Sequence, residues 1–68
     1  MNEDNLNIEI RRFLKKVGIA SQREIENQIY EAIKKGNVKI GDKIDLEMKL
    51  SIKNFQYSNA IEGKIIID

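Results

Sequence analysis

The chain reads as a small α+β protein of order α-α-β-β, a helical hairpin packed on one face of a small antiparallel sheet. Three observations predict it. Apolar residues recur at helical spacing through the first half of the chain; the spacing shifts to strict alternation after Asp42; and the stretch Phe13 to Ile25 holds a helix stop, a short turn and a helix start in succession.

The first helix is expected over about 4–17, with Leu6, Ile10, Phe13, Leu14 and Val17 covering roughly a third of its circumference, the width of a core-facing stripe. Asn2, Glu3 and Asp4 supply a cap and first-turn acids that suit the positive end of the helix dipole, and Lys15 and Lys16 suit the negative end. Gly18 follows the stripe where a left-handed residue would close the helix, and Ile19 can fold back on Leu14 as the apolar contact of a Schellman cap. Ser21 and Glu24 then have the spacing of a reciprocal capping box, so a second helix is expected over about 21–35, helical from Gln22. Its apolar side is Ile25, Ile29, Ala32 and Ile33, and Gly36 is its stop.

Residues 37–42 hold a short extended piece at Val38 and Ile40, a candidate third strand, before the turn signal Gly41-Asp42. From Lys43 the residues Ile44, Leu46, Met48, Leu50 and Ile52 alternate with polar partners, a half-buried strand over about 43–53. The alternation slips at Lys53-Asn54, where Asn54 tolerates positive φ, so a bulge or turn is expected there, with Tyr57 on a loop. A last strand over about 60–67 carries Ile61, Ile65 and Ile67 on one face and closes an antiparallel hairpin. The whole of 1–68 reads as a single domain without repeats or linkers.

Composition narrows the function classes. The chain has 68 residues with no cysteine and no histidine, so disulfides, thiol chemistry, the common zinc ligands and imidazole proton transfer are absent. Lys and Arg nearly balance Asp and Glu, for a net charge of +1, so attraction to nucleic acid has to come from a local patch. The acidic, polar start MNEDNLN is unlike a signal peptide, and no apolar run approaches the ~20 residues that span a bilayer. A cytoplasmic protein with no membrane association is expected. No cofactor, metal or small-molecule ligand is called for. Asp42, Asp45 and Glu47 with Lys43, Lys49, Glu62 and Lys64 read as cross-strand ion pairing and not as a cation site.

With the caps and stripes in view, the segments MNED at the start, IRRFLKKVGIASQREIE from Ile10 to Glu26 and the closing IEGKIIID from Ile61 resemble a family of small bacterial proteins catalogued as a domain of unknown function. The resemblance spans nearly the whole chain. It implies a free-standing short protein, and it brings no catalytic or binding residues with it.

Two sets of residues are candidates for contact. The first is apolar and unused by a single core: Phe55, Tyr57, Ile66 and Ile8, the last projecting between Arg11, Arg12 and Lys15. Such residues also occur singly on ordinary surfaces. The second is basic: Arg11, Arg12, Lys15 and Lys16 opposite the apolar stripe, with Arg23 past the turn. It suits phosphates or an acidic partner, and equally a solvated helix face. Two helices and a hairpin invite comparison with a winged helix-turn-helix. In that pattern an apolar residue stands about six positions after the turn glycine, where this chain has Glu24, and Glu24, Glu26 and Glu31 would oppose phosphates. The reading that results is a non-catalytic cytosolic interaction module that binds a protein partner or its own second copy. Nucleic-acid binding through the basic face and a wing-like hairpin is the alternative.

Overall fold

The computed structural model describes every residue from Met1 to Asp68. It contains one helix, α1 (Glu3–Lys34), and two strands, β1 (Lys43–Ile52) and β2 (Tyr57–Ile66). These fall in two compact units, Met1–Asn37 and Val38–Asp68. The α+β class holds, but the helical hairpin does not form, because α1 continues for 32 residues through Gly18 and Ser21.

Energetics explain the correction. A glycine inside a helix costs about 1 kcal/mol relative to alanine. Stopping there would open two new helix ends, each with up to about four unpartnered backbone groups, and would require a second nucleation. Ala20, Gln22, Arg23 and Glu24 are good or tolerable helix formers, no proline intervenes, and Gln22 Nε2 donates to Glu26 Oε2 at 3.5 Å across the supposed start. Gly18 accordingly has no positive φ. Ile19 does not fold back as a cap contact but stands 55% exposed.

The true ends follow the expected chemistry. Asn2 is the N-cap, with Oδ1 accepting from the Asn5 N–H at 3.1 Å, and Glu3 and Asp4 lie in the first turn. At the other end Gly36 takes φ 76°. Its N–H donates to the Ile33 carbonyl at 3.0 Å and the Asn37 N–H donates to the Ala32 carbonyl at 2.9 Å, the paired bonds of a Schellman motif.

In the second unit, residues 37–42 add no third strand; the sheet has two. They form a turn in which the Asp42 N–H donates to the Lys39 carbonyl at 3.1 Å and Asp42 Oδ2 accepts from the Lys39 N–H at 3.0 Å, with Gly41 at φ 96°. Beyond the strand ends, Gly41 N–H to Ile67 O at 2.7 Å and Ile67 N–H to Asp42 O at 3.0 Å extend the pairing, and Ile67 is the one buried residue, 7% exposed.

β1 and β2 pair antiparallel from Lys43 with Ile66 to Ile52 with Tyr57. This register puts Ile44, Leu46, Met48, Leu50 and Ile52 on one face with Ile65, Gly63, Ile61, Asn59 and Tyr57. β2 thus begins earlier than the apolar run alone suggested, and Tyr57 is a strand residue, not a loop residue. The link is the turn Lys53 to Gln56, and its positive φ, 53°, falls on Gln56 and not on Asn54. In a hairpin loop built around a type I turn, the left-handed residue comes last, where the chain re-enters the strand.

Candidate functional site

On α1 the apolar stripe of the sequence survives as one continuous face. At 100° per residue, Leu6, Ile10, Phe13, Leu14, Val17, Ser21, Ile25 and Ala32 fall within about a third of the helix circumference, and Ile29 and Ile33 lie past one edge of that stripe. Its half-buried members are Val17, Ser21, Ile25, Ile29 and Ala32. No residue of α1 is buried; Leu6 is 44% exposed, Ile10 47% and Leu14 55%. The centre of the stripe is small and smooth, with Gly18 and Ser21 adjacent and open space around the Gly18 Cα.

The opposite side of α1 is basic. Removing the expected break turns Arg23 onto the same face as Arg12 and Lys16, and Arg12, Lys15, Lys16, Ile19, Ala20 and Arg23 line a shallow open depression. Arg11 is not among its lining residues. Arg12 Nη1 already meets Glu9 Oε1 at 2.8 Å, one turn back, in an exposed pair of small energetic weight. Ile8, Ile19 and Tyr30 recur along this side about eleven residues apart, three helical turns. Ile19 and Tyr30 were missed as surface residues because the expected break at Gly18 hid that recurrence.

In the hairpin unit the candidate apolar residues separate. Tyr57, 48% exposed, completes the apolar face beside Ile52 at the turn end. Phe55, 76% exposed, is in the turn itself, and Ile66, 59% exposed, lies on the opposite face at the far end, across from Lys43. Phe55, Tyr57 and Ile66 therefore make no single patch. The charged face differs from expectation too: Asp45 stands opposite Lys64, but Glu47 stands opposite Glu62, and the nearest cation to Glu47 is Lys49 of its own strand, Nζ to Oε1 3.9 Å. Asp42 is engaged in its turn, and Asp42, Asp45 and Glu47 do not converge on one point.

No helix is long and apolar enough to cross a membrane. No curated protein and no solved structure matches the chain. The family comparison is positive and complete: residues 1–68, stripe, basic face and hairpin together, match the family described as "Family of unknown function (DUF6494)", and the chain belongs to it.

Proposed function

We propose that the chain is a non-catalytic interaction module of the bacterial cytoplasm that works by protein association through the apolar stripe of α1. The observation that carries this reading is the stripe itself: large apolar side chains from Leu6 to Ile25 share one face of a helix that buries none of its residues, and Ile29 and Ile33 continue past its edge. Leu, Ile and Phe in such an array are stabilised by removal from water, and polar rims flanking an apolar line are the anatomy of a binding surface. Tyr57 and Phe55 at the hairpin tip and Ile66 at its other end are secondary contact candidates.

Molecular mass measured by sedimentation over a wide concentration range tests the reading, together with capture of partners from lysate. Self-association that is abolished by Ile10→Asp, with helicity retained, supports it. A chain that remains monomeric at high concentration and captures nothing above background overturns it.

A second reading, contact with nucleic acid, is favoured by one observation: the unbroken helix gathers Arg12, Lys15, Lys16 and Arg23 on one face. It does not use a helix-turn-helix, since the turn does not form. A salt-dependent shift of labelled duplex or RNA, lost on charge reversal of Arg12 and Arg23, supports it; no shift at low salt ends it.

A further inference from the structure

We propose that the open edge of β2 takes the β2 strand of a second copy of this chain, antiparallel and in one register, so that two hairpins form a four-stranded sheet of order β1-β2-β2-β1. The sheet of one chain has only two strands, and a lone two-stranded hairpin is marginal in water. The phase of the ladder shows which residues point outward. The Ile67 N–H donates to the Asp42 carbonyl at 3.0 Å, on the β1 side, and this direction alternates along an antiparallel strand. Ile65, Gly63 and Ile61 therefore turn their main-chain groups to β1, and Ile66, Lys64, Glu62 and Ala60 turn theirs to the open edge.

With the two-fold axis through Gly63, Glu62 faces Lys64 of the second copy and Lys64 faces its Glu62, while Ala60 faces Ile66 and Ile61 faces Ile65. Each charge meets its opposite and each apolar residue meets another, the exposed Ile61 and Ile66 included. On the axis Gly63 meets Gly63, with nothing within 4 Å of the place a Cβ would take, so the strands close up without a side-chain clash. Charge fixes the register. Moving it one step either way, with the outward main-chain groups still facing each other, sets Glu62 against Glu62 or Lys64 against Lys64. The pairing also gives Glu62 the cation it lacks within its own hairpin, where it faces Glu47. β1 is guarded against the same contact: its outward residues Lys43, Asp45, Glu47 and Lys49 are all charged, and Lys49 Nζ already lies 3.9 Å from Glu47 Oε1.

The test uses the absence of native cysteine. In this register Ala60 faces Ile66 of the second copy with Cα atoms about 5.5 Å apart, within disulfide reach, whereas Ala60 of one copy lies about 20 Å from Ala60 of the other. Full-length chains carrying Ala60→Cys and chains carrying Ile66→Cys are oxidised separately and mixed, at high protein concentration and low salt, and chains carrying Gly63→Cys are oxidised alone. Disulfide-linked dimer is expected from the mixture and from Gly63→Cys, with little from Ala60→Cys or Ile66→Cys alone. No more dimer from the mixture than from its separate components, or none from Gly63→Cys, overturns the proposal. In the mixture, Glu62→Lys in both chains should lower the linked fraction several-fold, although it relieves Glu47 within each hairpin, and adding Lys64→Glu should restore it. Linking that ignores Glu62→Lys, or that does not recover with Lys64→Glu, overturns the register. Either failure leaves association through the stripe standing, since no residue of α1 takes part in this contact.

Discussion

Gln56 is a residue in a position that its side chain does not suit. At φ 53° it is the only non-glycine residue with positive φ, and an L-residue there costs roughly 1–2 kcal/mol that glycine avoids. Gln56→Gly should therefore stabilise the hairpin by about 1 kcal/mol, part of the gain being offset by the greater freedom of glycine in the unfolded chain; urea unfolding at fixed protein concentration measures it, and an unchanged or lowered midpoint refutes it. Glu62 is the second such position. Directly opposite Glu47, it places like charges at the closest cross-strand separation, so Glu62→Lys should stabilise by roughly 0.5 kcal/mol, with the gain shrinking as salt is added. Neither site was visible before the register was known. Asn54 has the better intrinsic tolerance for a left-handed backbone, but the loop dictates which residue must adopt it, and the pairing of Glu47 with Glu62 follows from where β2 begins.

At the scale of elements, the strands and the helix ends were legible and the helix middle was not. Alternation from Ile44 to Ile52 fixed β1 because a period of two has one structural meaning when one face is wet. Asn2 and Gly36 were legible as ends because each has a single good use where it stands, capping free N–H groups or entering the left-handed region. Gly18 and the Ser21-Glu24 spacing were ambiguous, since the same residues are tolerated inside a helix at modest cost. The outcome turned on a comparison of energies, one internal glycine against two extra helix ends, that a residue-by-residue reading does not make. This gives a direct prediction. If Gly18 is internal, Gly18→Ala, with nothing within 4 Å of the added Cβ, should increase helicity by circular dichroism and stabilise by about 1 kcal/mol. If Gly18 were a left-handed cap, the same change would destabilise the chain by a similar amount. The sign of the effect decides between one helix and two.

For the whole molecule, the sequence shows which faces are apolar but not what covers them, and that is why the stripe of α1 reads, from the sequence alone, as the lining of an internal core. Only Ile67 is buried among 68 residues, whereas a chain of this length needs a core or an assembly to be more than marginally stable. Fully burying a Leu or Ile contributes about 1.5–3 kcal/mol, so rungs that are roughly half exposed each have about 1 kcal/mol still to gain. Summed over both copies of the stripe, this is comparable to the roughly 4–15 kcal/mol that association costs in lost freedom, which places dimerisation in a range where concentration matters. Folding and association are then linked by mass action. The melting temperature should rise by about 3–5 °C for each tenfold increase in protein concentration, because the dimer dissociates as it unfolds. Calorimetry or circular dichroism melts over two decades of concentration measure the slope. Ile10→Asp, which places a carboxylate in the middle of the apolar stripe, should lower the melting temperature and flatten the slope together, since the variant no longer has an association equilibrium to shift. A melting temperature independent of concentration in the unaltered chain would mean that the apolar face of α1 gains nothing from a second copy.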